Sequence, residues 1–224
     1  MEHDRDRRHG AKQPEIFNHE RAARLDDPQR ETFLPTPVLI AALGAPHGAN
    51  VLDFGAGTGR YAIALARARP DLHVVAFDLQ PEMTAIVRRR ADEAGLSNIE
   101  TADTDVARLP RASFARVLAV NVLHEIGDID VRALGDLLAP GGYALLVDWD
   151  GGVPREVGPP ADHVHSLAEA RERLLRCGLS AQSLGIAEFP NHYVLRVTCR
   201  LRKDPLRIGP ECFVETRSDE EATP

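Results

Sequence analysis

An apolar run that ends in an acid and opens onto three glycines, each one residue apart, constrains this chain more than any other feature. Residues 51–62 read VLDFGAGTGRYA, which sets Asp53, Gly55, Gly57 and Gly59 at a strand-to-helix turn. Ala49 to Phe54 supplies the strand, and Tyr61, Ala62, Leu65 and Ala66 recur afterwards at helical spacing. Glycine in such a turn permits positive φ and lets backbone approach a ligand with no Cβ in the way. The turn reads as a nucleotide-type cradle.

Further apolar runs alternate with amphipathic stretches. Strands are expected at 50–54, 73–78, 99–102, 116–121 and 143–149, and helices at 60–68, 81–94, 129–138 and 167–177. This alternation implies α/β architecture with a parallel, doubly wound sheet. Two more strands, at about 181–188 and 193–201, are separated by Pro190, Asn191 and His192. So short a link joins neighbours antiparallel.

The acid decides between ligands. A dinucleotide fingerprint G-x-G-x-x-G wants its third glycine where this chain has Arg60, and Gly59 comes one residue early. An anion ahead of the turn repels a pyrophosphate but suits a ligand that carries an ammonium and a sulfonium, such as S-adenosylmethionine. The segment resembles motif I of the class I S-adenosylmethionine-dependent methyltransferases, with further matches through about Arg202. The resemblance implies a Rossmann-like, three-layer αβα fold whose seven-stranded sheet is mostly parallel with an antiparallel last strand.

It also implies a cofactor site. Asp53, Gly55, Ala56, Gly57 and Gly59 would form the cradle. Asp78, nineteen residues after Gly59, would accept from both ribose hydroxyls, and Leu79 would wall the adenine. The stretch TADTDVARLP resembles the family's G-D-A-x-x-L-P when Asp105 is aligned before Leu109 and Pro110; Asp105 would then accept from the adenine amino group and Val106 N–H would donate to a ring nitrogen. Thr104 stands where the family has glycine, and Asp103 is a rival for the role. Asn121, ending strand four, would lie beside the methionine part, with His124 and Glu125 facing the cleft. Strand five, announced by a Pro140–Gly141–Gly142 turn, would bring Asp148, Trp149 and Asp150 there.

Methyl transfer from a sulfonium is an in-line displacement that depends on positioning, and a hydroxyl acceptor adds the need for a base. His124, Asp148 and His163 are the catalytic candidates, in that order. The segment before the first strand, 15–48, reads as a cap over cofactor and acceptor, with Phe17 and Phe33 as candidate lining. Asn121 is followed by Val122 and Leu123, not the Pro-Pro-aromatic of amino-adenine methyltransferases, and no Pro-Cys pair of the cytosine-C5 enzymes occurs. The acceptor is therefore expected to be a small molecule. The alternatives are a non-catalytic cofactor-binding module, a protein or RNA methyltransferase and, further off, an NAD-dependent oxidoreductase.

Composition bounds the rest. A chain of 224 residues with 43% hydrophobic side chains supports one sizeable core, expected here over 15–202. Residues 1–14 read as a mobile charged arm and 203–224 as a partly disordered tail. A net charge of −7 disfavours a nucleic-acid partner. Cys177, Cys199 and Cys212 form no C-x-x-C pair, so no metal site is expected and all three read as reduced thiols. With no apolar run near the ~20 residues of a membrane span, no membrane partner is expected either. A cytoplasmic monomer or homodimer is the expectation.

Overall fold

The computed structural model describes residues 19–103 and 105–199. The arm over 1–14, Phe17, Cys212 and the tail over 203–224 lie outside the described residues. Seven strands form one sheet: β1 (Asn50–Phe54), β2 (His73–Phe77), β3 (Ile99–Ala102), β4 (Phe114–Val120), β5 (Leu138–Trp149), β6 (Leu179–Ser183) and β7 (His192–Cys199). Their spatial order is β3-β2-β1-β4-β5-β7-β6. The pairs from β3 to β5 are parallel, whereas β7 runs antiparallel to both β5 and β6. The expected mixed sheet is thus present, with its last strand inserted between β5 and β6.

Helices α1 (Thr36–Leu43), α2 (Arg60–Ala68), α3 (Pro81–Glu93), α4 (Asp128–Leu137) and α5 (Leu167–Arg176) cover both faces. Because side chains alternate along a strand, Val51, Val74, Leu118, Leu145 and Val194 pack with α1, α2 and α3, while Leu52, Val75, Val117, Leu146 and Leu195 pack with α4 and α5. Two buried layers result. The near-continuous apolar strands of a doubly covered sheet follow from this.

Four differences from the sequence reading have local causes. First, β5 begins at Leu138, not 143: Leu138 pairs with Phe114 before an irregularity that contains Gly141 at φ +74°. The Pro-Gly-Gly turn is therefore a break within the strand. Second, β6 spans 179–183 in place of 181–188, and His192 opens β7 as a buried residue instead of sitting in the turn. Third, α1 was not anticipated, since TPVLIAAL is apolar nearly all round and shows no amphipathic period. Fourth, Cys177 is a free buried thiol but Cys199 is disulfide-bonded, which corrects the expectation of three reduced cysteines.

Candidate functional site

A cavity of about 1150 Å³ opens at the carboxyl ends of β1, β2 and β4, where open α/β sheets place their ligands. Its floor is the motif I turn. Gly55, Gly57 and Gly59 have φ of 72°, 53° and 82°. At Gly55 a Cβ would stand 2.5 Å from Val122 Cγ2, so only glycine fits between this turn and the β4–α4 loop.

Asp53 ends in the cavity wall, 2% exposed, and its Oδ2 has no hydrogen-bond partner among the described residues. Burial pushes its carboxyl up to about 7; a backbone hydrogen bond from Ala62 opposes the shift and the nearby Asp78 adds to it. Such a group gains from a cation. Asp78 accepts from Gly57 N at 2.8 Å and from Gln80 N at 3.0 Å, while burial raises its pKa. Each of its oxygens keeps a lone pair for a hydroxyl donor. Leu79, 46% exposed, flanks the same cavity.

At the end of β4, Asn121 adopts φ +57°, a conformation that asparagine tolerates better than most residues. Both polar atoms of its amide are buried on the cavity wall without partners among the described residues. Val106 reaches the wall through a 3-10 turn, Val106–Arg108. Asp105 does not: its Oδ1 caps that turn through Ala107 N at 3.0 Å, and it is not part of the cavity lining. These unsatisfied acceptors and the amide match an amino-acid group beside a nucleoside, so the residues present fit S-adenosylmethionine.

The three catalytic candidates take different places. His124 lines the cavity on the β4–α4 loop, and its Nδ1 lies 2.8 Å from Asp148 Oδ1. Burial alone would depress its pKa, but the charge and hydrogen bond of Asp148, with Glu125 adding, raise it above the ordinary value. Asp148 is fully buried and absent from the cavity wall, which corrects its reading as a base that meets the acceptor. Its oxygens also take His124 N at 3.1 Å and Trp149 N at 2.7 Å, so it orients the histidine. His163 does line the cavity, from a 3-10 turn at Ala161–His163.

Three sets of contacts were not legible in the sequence. Residues 24–33 strap over the cradle: Arg90 donates to Asp26 at 2.7 and 2.9 Å and to Thr58 O at 3.0 Å, and Arg60 reaches Glu31 at 2.7 Å. Arg90 of α3 therefore ties this segment to the glycine turn. Secondly, Phe33, Trp149 and His192 form an aromatic wall, with centroids 5.4 Å apart for Phe33–Trp149 and 4.2 Å for Trp149–His192. Burial holds His192 down to about 4, hence neutral. Gly158 covers Trp149 so closely that a Cβ would meet the indole at 2.9 Å. Thirdly, Arg173 of α5 donates to Leu123 O at 2.6 Å, Ile126 O at 2.5 Å and Asp128 at 2.8 Å, clamping the loop that carries His124.

Comparison with known proteins agrees with this geometry. A family model described as a methyltransferase domain matches residues 51–142. The chain is 37% identical over 102 residues to a ribosomal RNA small subunit methyltransferase G of Ralstonia nicotianae, covering 46% of this chain and 45% of the relative. It is 32% identical over 129 residues to a ubiquinone biosynthesis O-methyltransferase of Xanthomonas axonopodis pv. citri, covering 54% and 53%. The chain thus spans about half the length of the curated relatives it matches. Among solved structures, a SAM-dependent methyltransferase from Aquifex aeolicus shares the fold with a TM-score of 0.74 at 23% identity, over 81% of this chain and 98% of that one. Residues 51–142 are thus similar to a methyltransferase domain, and the sheet order and glycine cradle of the chain agree with that likeness.

Proposed function

We propose that this protein transfers the methyl group of S-adenosylmethionine to a hydroxyl of a small-molecule acceptor, with His124 receiving the acceptor's proton. The observation that carries this reading is the His124–Asp148 pair at the cavity wall. With Nδ1–H held by the carboxylate, the neutral ring presents Nε2 as the proton acceptor. Bound S-adenosylmethionine supplies the electrophilic methyl; the chain's own residues align the acceptor with it, an effect worth about 7–11 kcal/mol in favourable cases.

Two further observations support a small acceptor. The cavity exceeds the roughly 300–1,000 Å³ of a site for one drug-sized ligand, which leaves room for cofactor and acceptor together. Its walls at Phe33, Trp149, Pro159 and Pro160 are apolar and suit a flat or hydrophobic metabolite. The net charge of −7 gives no long-range attraction for a phosphate backbone. The test incubates the protein with S-adenosylmethionine and a metabolite extract and measures S-adenosylhomocysteine. Turnover that is lost in His124→Ala supports the reading. Turnover only with RNA or protein would overturn the small-molecule assignment, and binding without any turnover would make the protein a non-catalytic cofactor-binding module.

A further inference from the structure

His124 has a carboxylate on each side. Opposite the Asp148 contact, its Nε2 lies 3.6 Å from Glu125 Oε1, and both His124 and Glu125 line the cavity. Side-chain exposure rises from 1% at Asp148 through 10% at His124 to 22% at Glu125. Asp148 therefore holds the inner nitrogen from the core, and Glu125 flanks the outer one where an acceptor arrives.

With its proton on Nδ1, the neutral ring offers a lone pair at Nε2, and a carboxylate oxygen offers only lone pairs. Two acceptors thus stand side by side, and a ligand that meets both must bring two protons. A lone hydroxyl has one and serves a single acceptor. An amino nitrogen has enough, but its N–H bonds diverge tetrahedrally, and at about 2.9 Å per hydrogen bond they call for acceptors roughly 4.7 Å apart. The observed 3.6 Å is too short for that. Hydroxyls on adjacent carbons present two O–H groups side by side and fit. The walls narrow the class further, because Phe33, Trp149, Val157, Pro159 and Pro160 line the same cavity and suit the face of a flat ring.

We infer that the methyl acceptor is an aromatic ring with two adjacent hydroxyls, one donating to His124 Nε2 and the other to Glu125. The inference rests on the reading of His124 as the base. In the reaction the oxygen at Nε2 forms the new O–CH3 bond with its own lone pair, while the CH3–S bond breaks and leaves its electron pair on sulfur. The O–H proton passes to Nε2. The second hydroxyl keeps its proton, donated to Glu125, whose charge favours the imidazolium that has formed. A monomethyl product has one O–H left and no longer satisfies both acceptors, so each ring is methylated once.

Calorimetry on the full chain, loaded with S-adenosylhomocysteine, tests the assignment with three probes: 4-methylcatechol, 4-methylphenol and 4-methylaniline. A hydroxyl bonded to a carboxylate is worth about tenfold to a hundredfold in affinity, so wild type is expected to prefer the catechol to the phenol by that factor. Glu125→Gln, which keeps an acceptor oxygen without the charge, retains a small part of the preference, and Glu125→Ala retains none. With S-adenosylmethionine in place of the homocysteine, wild type is expected to form the monomethyl ether and no dimethyl ether. Equal affinity for catechol and phenol, no binding of any probe, tightest binding of the amine, or a preference that survives Glu125→Ala overturns the inference. A Glu125-dependent preference without any turnover supports the paired-hydroxyl site and overturns the reading of His124 as base instead.

Discussion

At the residue scale the proposed chemistry rests on two side chains. In the free protein Asp53 titrates near 7 because burial disfavours its charge. An ammonium favours the carboxylate, so binding at pH 7 expels about half a proton and approaches a full one at lower pH, and below pH 7 affinity falls by up to about tenfold per pH unit. Calorimetry in buffers of different ionisation enthalpy reads that proton directly, and Asp53→Asn is expected to weaken binding and remove its pH dependence. For His124 the sign is set by its role. A base must be neutral, so kcat/KM falls as pH drops through a pKa that Asp148 holds above the usual histidine value. Replacing Asp148 with Asn removes that pull while burial persists, so the acidic limb moves to lower pH and the rate drops as the ring loses its orientation. His124→Ala is expected to cost about 10² to 10⁴ in kcat.

Among the elements, the β4–α4 loop holds Asn121 and His124, and its shape depends on a residue far along the chain. Arg173 is 8% exposed and satisfies two loop carbonyls as well as Asp128, which is half-exposed. Arg173→Met leaves those carbonyls unpaired and should destabilise the fold by about 2–4 kcal/mol, seen as a lower midpoint in denaturant. It should lower kcat more than it weakens S-adenosylhomocysteine binding, because the cradle rests on β1 and β2. A midpoint unchanged from wild type would show that the clamp is dispensable. Secondary structure was largely legible because β1, β2, β4, β5 and β7 are built on apolar runs and each of α2 to α5 shows a polar face. The misses have separate causes: α1 has no polar face, β5 continues through a Pro-Gly-Gly sequence because its pairing with β4 tolerates an irregularity, and β6 is largely polar.

For the whole molecule, the residues proposed to hold the cofactor were locally predictable as neighbours: Asp53, the glycines and Asp78 lie at the ends of two adjacent strands joined by one crossover helix, and Asp53, Gly55, Gly57 and Asp78 line the same cavity. The acceptor half was not, since it is assembled from distant segments. His124 meets Asp148 across 24 residues, Asp26 meets Arg90 across 64, and Phe33 meets Trp149 through the closure of a cap on the sheet. Pairings of this kind depend on register and helix placement that composition does not encode. The same division sets what is firm: a β7 inserted antiparallel into a parallel sheet, a glycine turn under a buried acid, and a strap tied across it by Arg90 and Arg60. The most direct test of that assembly is calorimetric titration of the wild type and Asp78→Ala with S-adenosylhomocysteine and with NAD. The account predicts one S-adenosylhomocysteine bound per chain, affinity lost by at least about tenfold in Asp78→Ala, and no binding of NAD. Binding of NAD with none of S-adenosylhomocysteine would contradict it.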